Sequence, residues 1–291
     1  LEGTSSFGVL AALTMTRLNR VGGELKASAQ VGETPVLSGE LYQPLAASQF
    51  PFVSLGVQGS FVKQQVPVAD ELVQYRFFSQ RVGLDLGLSL GRFGEVRVGA
   101  RHDSTAGRAT DDRADDAPDY DRVDAGWHAA AVIDQLDTVN FPHRGVLAFA
   151  DLYEADAALG ADEAYRSLDL QLIAATTWRK HTLLGLLHGG SGLGGVRPLP
   201  EQLYLGGLFN LSGLPPGEVL GSYGGVASLV YLYRVGRLPN FGEGIYAGIS
   251  VEAGNAWATA AEVDLGDLRH SVALVLGADT LLGPVYLAHG R

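Results

Sequence analysis

The chain has 291 residues, 39 of them glycine, and a formal net charge of −11. That acidic balance argues against nucleic acid as a partner, because phosphate binding needs a basic stripe. With no cysteine there is neither a disulfide framework nor a Cys-ligated metal, and without an apolar run of about 18 residues or more no helix can span a membrane. Charged residues make up only 18%, against roughly 25% in a soluble domain, which suits a sheet with one face that does not meet water.

Period-two alternation dominates the sequence, and successive side chains of a strand point to opposite faces. Glu24-Leu25-Lys26-Ala27-Ser28-Ala29-Gln30-Val31 is a clean case, and the pattern returns at 53–61, 83–91, 167–172 and 245–252. In chain order, strands are predicted over residues 7–16, 24–31, 36–42, 52–62, 72–78, 82–90, 95–101, 123–134 and 146–154. Others follow at 165–177, 181–188, 227–234, 244–253, 269–276 and 284–289. Residues 32–35, 80–81, 91–94 and 179–180 read as short turns, 102–122 and 189–222 as long loops. Short turns on one side and long loops on the other are the habit of up-and-down membrane barrels. Asp111, Asp112, Asp115, Asp116, Asp119 and Asp121 fall in an acidic stretch that reads as a solvated surface loop. A calcium site there would lack the EF-hand spacing. No helical stripe and no second compositional regime appears, so residues 1–291 are expected to form one domain.

Closing a sheet of this many strands removes its edges, and in lipid closure is obligatory. Glu24, Lys26, Ser28 and Gln30, then Asp85, Gly87 and Ser89, then Ser167, Asp169 and Gln171 form small or hydrophilic faces. In a membrane barrel these face a wet lumen and the aliphatics face lipid. A soluble sandwich would place them the other way round. Aromatics near segment ends, including Phe7, Tyr42, Phe50, Phe52, Phe77, Phe78, Tyr165, Trp178, Tyr231, Tyr233 and Trp257, are expected to form interfacial girdles.

Patterns that suggest catalysis fail on context. Gly87-Leu88-Ser89-Leu90-Gly91 matches the G-x-S-x-G elbow, but the elbow needs a strand-to-helix turn and these residues continue an alternating strand. Gly190, Gly192 and Gly195 fit G-x-G-x-x-G without the required βαβ setting. The seven histidines are scattered, and none pairs with a serine or at metal-ligand spacing. No catalytic residue, metal or cofactor is therefore expected.

Two motifs carry a family resemblance. Asp137-Thr138-Val139-Asn140-Phe141-Pro142-His143-Arg144-Gly145 reads as a tight turn, with Asp137, Asn140, Pro142 and Gly145 at its key positions. It is similar to a hairpin of the BamA/TpsB superfamily of outer-membrane proteins. Leu203-Tyr204-Leu205-Gly206-Gly207-Leu208-Phe209-Asn210-Leu211-Ser212-Gly213-Leu214 resembles that superfamily's signature loop, an F-x-x-G-G segment leading to V/I-R-G-F/Y, which folds into the lumen. Gly206, Gly207, Phe209, Leu211, Ser212, Gly213 and Leu214 are the positions carried over, within a lumenal loop of about residues 196–225. Leu203 replaces the leading Phe, Leu214 the final aromatic and Ser212 the arginine, so the arginine–acid contact that anchors the loop in protein-assembly members is not expected. Gly283-Pro284-Val285-Tyr286 looks like the family's penultimate strand. The Leu-Ser-Gly form looks most like the patatin-type (type Vd) autotransporters of the type V secretion class.

That resemblance implies a transmembrane antiparallel β-barrel of sixteen strands in the bacterial outer membrane, with a closing strand missing after Arg291. It implies a translocator or anchor for an upstream patatin-like phospholipase passenger in the same polypeptide. It further implies a homodimer, contact with outer-membrane lipid, and the outer-membrane assembly machinery as a partner during insertion. The first residues hold no export signal, so the chain is expected to be part of a longer protein. The alternatives are a protein-assembly or two-partner-secretion barrel of the same superfamily, an outer-membrane enzyme and a soluble sandwich.

Overall fold

The computed structural model describes residues 7–46, 48, 50–68, 71–110, 117–237, 242–281 and 283–291. Among them are sixteen strands, a few single 3-10 turns and no α-helix. The strands are β1 (Gly8–Met15), β2 (Glu24–Gly32), β3 (Val36–Pro44), β4 (Pro51–Val68), β5 (Glu71–Ser89), β6 (Glu95–Ala109), β7 (Tyr120–Asp134) and β8 (Gly145–Ala155). Then come β9 (Arg166–Trp178), β10 (His181–Ser191), β11 (Leu203–Leu205), β12 (Val219–Gly221), β13 (Tyr223–Gly236), β14 (Gly242–Trp257), β15 (Arg269–Thr280) and β16 (Gly283–Gly290). Fourteen of them, β1 to β10 and β13 to β16, follow one another in chain order in a single sheet, and β11 and β12 form a separate two-stranded hairpin.

Fifteen predicted segments become fourteen sheet strands because 72–78 and 82–90 are one strand, β5. No turn forms at Gln80 and Arg81, where the alternation simply continues in polar residues. Arg81 turns to the polar face with its Nε 2.5 Å from Asp103 Oδ1, while Gln80 lies opposite Ser104. For the same reason β6 runs past Arg101 to Ala109, and Asp103 belongs to a strand. Asp111, Asp112, Asp115 and Asp116 lie outside the described residues, and Asp119 and Asp121 stand 3.4 and 3.2 Å from the Arg108 guanidinium. Connections in a meander alternate between its ends, so the short ones after β2 and after β5 lie at opposite ends and are not gathered on one side.

The chain divides into two compact units. The first comprises Leu1–Gly91, Glu95–Ala130 and Leu152–Arg166, the second Arg92–Gly94, Ala131–Asp151 and Ser167–Arg291. In the first, β4 pairs with β5 from Pro51 opposite Leu88 to Val68 opposite Glu71. Leu84, Leu86 and Val98 are more than half exposed there, while Ser54, Arg101 and Asp103 are buried. In the second unit the inversion repeats: Val251 and Leu274 are exposed, and Ser250, Glu252 and Ser271 are buried. Fully burying such an aliphatic side chain stabilises by about 1.5–3 kcal/mol, and a contiguous exposed apolar face of this kind marks an interaction surface.

The aromatics split by face. In the second unit Trp178 stacks on His181 with ring centroids 5.9 Å apart, and His181 Nδ1 lies 2.7 Å from the Tyr231 hydroxyl, an outward cluster that also holds Tyr233. Phe52, Phe77 and Tyr165 are buried on the polar face of the first unit and belong to no girdle. Two of these rings lie beside cations, Arg97 over Phe52 and Arg122 over Tyr165, and Phe77 meets Tyr120 edge-on at 5.4 Å.

Candidate functional site: a glycine-rich loop clamped to the polar face

Between β10 and β13 the second unit carries residues 192–222, which include the hairpin of β11 and β12. Leu203, Tyr204 and Leu205 pair with Gly221, Leu220 and Val219. At the tip the chain reverses tightly. The Gly206 N–H donates to the Asn210 carbonyl at 2.6 Å and the Gly207 N–H to the Leu214 carbonyl at 2.9 Å, with φ of +125° and +92° at the two glycines. Leu205 and Leu211 are fully buried in a cluster with Val219 and Val226, against which Leu214 packs. Phe209 and Leu211 hold φ of +60° and +72°, a strain of about 1–3 kcal/mol each for residues with side chains.

Ser212 explains what holds that strain. Its backbone N–H donates to Glu252 Oε2 at 2.5 Å and its hydroxyl to Glu252 Oε1 at 2.6 Å. The same hydroxyl accepts from the Phe209 N–H at 2.9 Å. Ser250 Oγ gives Glu252 Oε1 another bond of 2.7 Å. The Gly213 N–H donates to Ser271 Oγ at 2.6 Å, and Ser228 Oγ donates to the Phe209 carbonyl at 2.8 Å. A Cβ on Gly213 would lie 2.5 Å from the Arg291 carbonyl carbon, and one on Gly290 would lie 2.1 Å from the Ser212 carbonyl oxygen. The tip therefore seats on β13, β14, β15 and the end of β16. All seven predicted loop residues belong to this tip, and Ser212 binds an acid, Glu252, through both its amide and its hydroxyl. Among the described residues, Glu252 has only neutral donors as partners.

A second clamp holds the loop where it leaves β10. Arg197, with its side chain 3% exposed, forms two parallel bonds of 2.8 Å from Nη1 and Nη2 to the Asp169 carboxylate on β9. Its backbone N–H donates to Ser222 Oγ at 2.9 Å, and its carbonyl accepts from Gln202 Nε2. Gly190 clears the space, since a Cβ there would lie 2.5 Å from Arg197 Nη1. Of the glycines that fit a dinucleotide fingerprint, Gly190 thus serves an ion pair, while Gly192 and Gly195 close a tight turn with no helix after it.

The predicted hairpin joins β7 to β8. Asp137 Oδ1 accepts from the backbone N–H groups of Thr138, His143 and Arg144 at 3.1, 2.9 and 3.1 Å. Burial pushes this carboxyl's pKa up, but the His143 and Arg144 amides, the His143 ring and the Thr138 amide outweigh it and hold it below the ordinary value. Asn140 offers its carbonyl to Thr138 Oγ1 at 2.6 Å, and Pro142 is buried. Gly145 has φ +109° and a Cβ there would strike the Gln135 carbonyl oxygen. The turn exists to present Phe141, 2% exposed, which stacks on Tyr246 at 4.6 Å and on Tyr286 at 4.8 Å. Phe209 of the loop meets the same Tyr286 edge-on at 5.8 Å, so turn and loop share one aromatic cluster.

Glu252, Arg197, Asp169, Phe141 and Tyr286 were not singled out by the motifs. Glu252 lies in an alternating segment and Phe141 inside the hairpin motif, but their partners are distant in sequence. Among the described residues there is no group of three or more potential metal ligands. Ser89 ends β5 and is followed by a 3-10 turn, Gly91–Phe93, and no helix.

An antiparallel meander that exposes aliphatic side chains on one face and seats a glycine-rich loop on its polar face has the pattern of a β-barrel class. Solved structures carry the same fold. BamA from Haemophilus ducreyi lacking POTRA domains 1-3 matches with a TM-score of 0.72 at 13% identity over 98% of this chain. CdiB from Escherichia coli matches at 0.64 and 12% over 97%, and CdiB from Acinetobacter baumannii at 0.56 and 13% over 98%. The chain spans 66%, 55% and 56% of those three chains, less than two thirds of each. No protein-family model matches the sequence, and no curated protein does. At these identities the likeness establishes the fold: this is an antiparallel β-barrel fold of the BamA and CdiB type.

Proposed function

We propose that the chain is the membrane barrel of an outer-membrane transporter of the BamA/TpsB type, and that the loop 192–222 sets whether its lumen is open. The observation that carries this reading is the Ser212–Glu252 clamp, which seats the loop tip on the polar face while Val251 and Leu274 stay exposed. The likeness to BamA and CdiB supports both the transporter class and the outer membrane. In this reading the chain performs no covalent chemistry; its work is to span lipid and to gate.

A second reading, an anchor and translocator for an upstream lipase passenger in a homodimer, is favoured by Leu211-Ser212-Gly213 standing where the superfamily has an arginine. The two readings part on conduction. Purified chain reconstituted into planar lipid bilayers is expected to give rare, small openings, and the double variant Ser212→Ala/Glu252→Gln frequent and larger ones. Equal conductance would remove the gate, and conductance absent from both would favour the anchor. Phospholipid hydrolysis by the chain alone would sink the non-catalytic reading.

A further inference from the structure

On the outward face of the first unit, register aligns three cations. Lys63 of β4 lies opposite Arg76 of β5, and Arg76 lies opposite Arg108 of β6. Lys63 and Arg76 are exposed, while the alternating neighbours Tyr75 and Phe77 are buried on the polar face. Two residues further along the same outward face, Phe61 and Phe78 stack at 4.5 Å. Beyond them come the exposed Val57, Val82 and Leu84. Along these strands the order is aliphatic, aromatic, cation. That is the order of a membrane boundary, where aromatic rings sit at headgroup level.

Arg108 is held by Asp119 and Asp121. Lys63 and Arg76 have no carboxylate within ion-pair distance among the described residues. Beside them lies a recess of about 500 Å³ whose walls include Phe7, Pro35 and Phe61, with Glu33 also on its lining. Two cations without a carboxylate partner among the described residues, at the rim of an apolar face in a chain of net charge −11, are placed for an anion that brings hydrocarbon with it.

We propose that this recess binds the phosphate-bearing headgroup of a membrane lipid. Lys63 and Arg76 take the phosphate, and Phe7, Pro35 and Phe61 cover the first acyl carbons. Glu33 disfavours further negative charge. A free phosphate would share the two cations but gain nothing from the apolar walls. The proposal rests on the reading that this face meets lipid.

The test is native mass spectrometry of the purified full chain in detergent, titrated with phosphatidic acid, with phosphatidylcholine of the same acyl chains, and with inorganic phosphate. Two juxtamembrane cations imply a preference for phosphatidic acid over phosphatidylcholine of about tenfold or more. The preference should vanish in Lys63→Gln/Arg76→Gln, persist in Lys26→Gln on the polar face, and increase in Glu33→Gln. Equal affinity for the two lipids, a preference that survives in the double variant, or displacement of lipid by inorganic phosphate would overturn the proposal. Should the double variant fail to fold, Glu33→Gln decides alone: a preference that does not rise overturns it. Failure of the wild-type chain to insert into liposomes would instead count against the membrane reading, so the two failures are distinguishable.

Discussion

Ser212→Ala removes one oxygen that makes two bonds, 2.6 Å to Glu252 and 2.9 Å from the Phe209 N–H. A hydrogen bond to a charged group contributes about 1.5–3 kcal/mol, and stranding a buried amide costs about 1 kcal/mol or more. The Ser212 N–H bond to Glu252 survives the substitution and retains part of the clamp. The strained backbone of Phe209 and Leu211 is released whenever the tip lifts, which favours lifting. A net loss of about 2–3 kcal/mol in the seating equilibrium follows, a factor of about 30- to 150-fold. Hydrogen exchange of peptides covering 206–216, measured on the protein in lipid vesicles, reads that factor directly. Exchange of the Phe209 and Gly213 amides should accelerate by that amount, while amides in the paired segment of β4 and β5 keep their wild-type rates. Acceleration of less than about threefold would mean that the hydroxyl does not hold the tip, and the gating proposal would lose its physical basis.

Other substitutions probe the remaining contacts. Phe141→Ala empties the stack between Tyr246 and Tyr286 and should cost about 3–5 kcal/mol in urea unfolding, with loss of near-ultraviolet dichroism from the two tyrosines. Gly87→Ala places a Cβ 2.1 Å from the Phe52 ring and should cost about 1–3 kcal/mol by overpacking; an unchanged urea midpoint would refute it. Arg197→Lys keeps the charge but forfeits the two parallel bonds to Asp169, so exchange over residues 192–202 should rise while β13 to β15 stay protected. Asp137 has its pKa lowered in the fold, so it contributes stability above its unfolded pKa of about 3.9 and loses it as pH falls through the lower folded value. The stability gap between wild type and Asp137→Asn should therefore be flat near neutral pH and shrink below about pH 4, and a gap that widens on acidification would contradict the geometry.

The strands were legible because an aliphatic residue at every second position can be satisfied only by a two-faced sheet. Legibility faded at Gln80 and Arg81 and again past Arg101. There the outward face turns polar and the signal looks like a turn, although Arg81 and Asp103 keep the two strands in step. The loop tip was legible in its glycines, since Gly206 and Gly207 adopt positive φ and Gly213 abuts Arg291. Its anchors were not. Ser212 marked the loss of an arginine, but nothing local says that a carboxylate 40 residues away receives its hydroxyl and its amide. Arg197 stands alone in a glycine-rich stretch, and in the sequence its partner Asp169 is only one member of an alternating polar face. Periodicity reports which way a side chain points, and pairings across the sheet depend on register that no single segment contains.

The seat of the loop tip is assembled from parts made late in the chain. Ser212 needs Glu252, 40 residues on, and Gly213 needs Ser271, 58 residues on, and both press against the end of β16. Contacts of such separation form only after the intervening chain is ordered. The tip cannot dock until β14, β15 and β16 have paired, and a chain in which any of them is unpaired must carry the loop loose. Docking is thus tied to the folding order: a clamped tip reports that β14, β15 and β16 are in register.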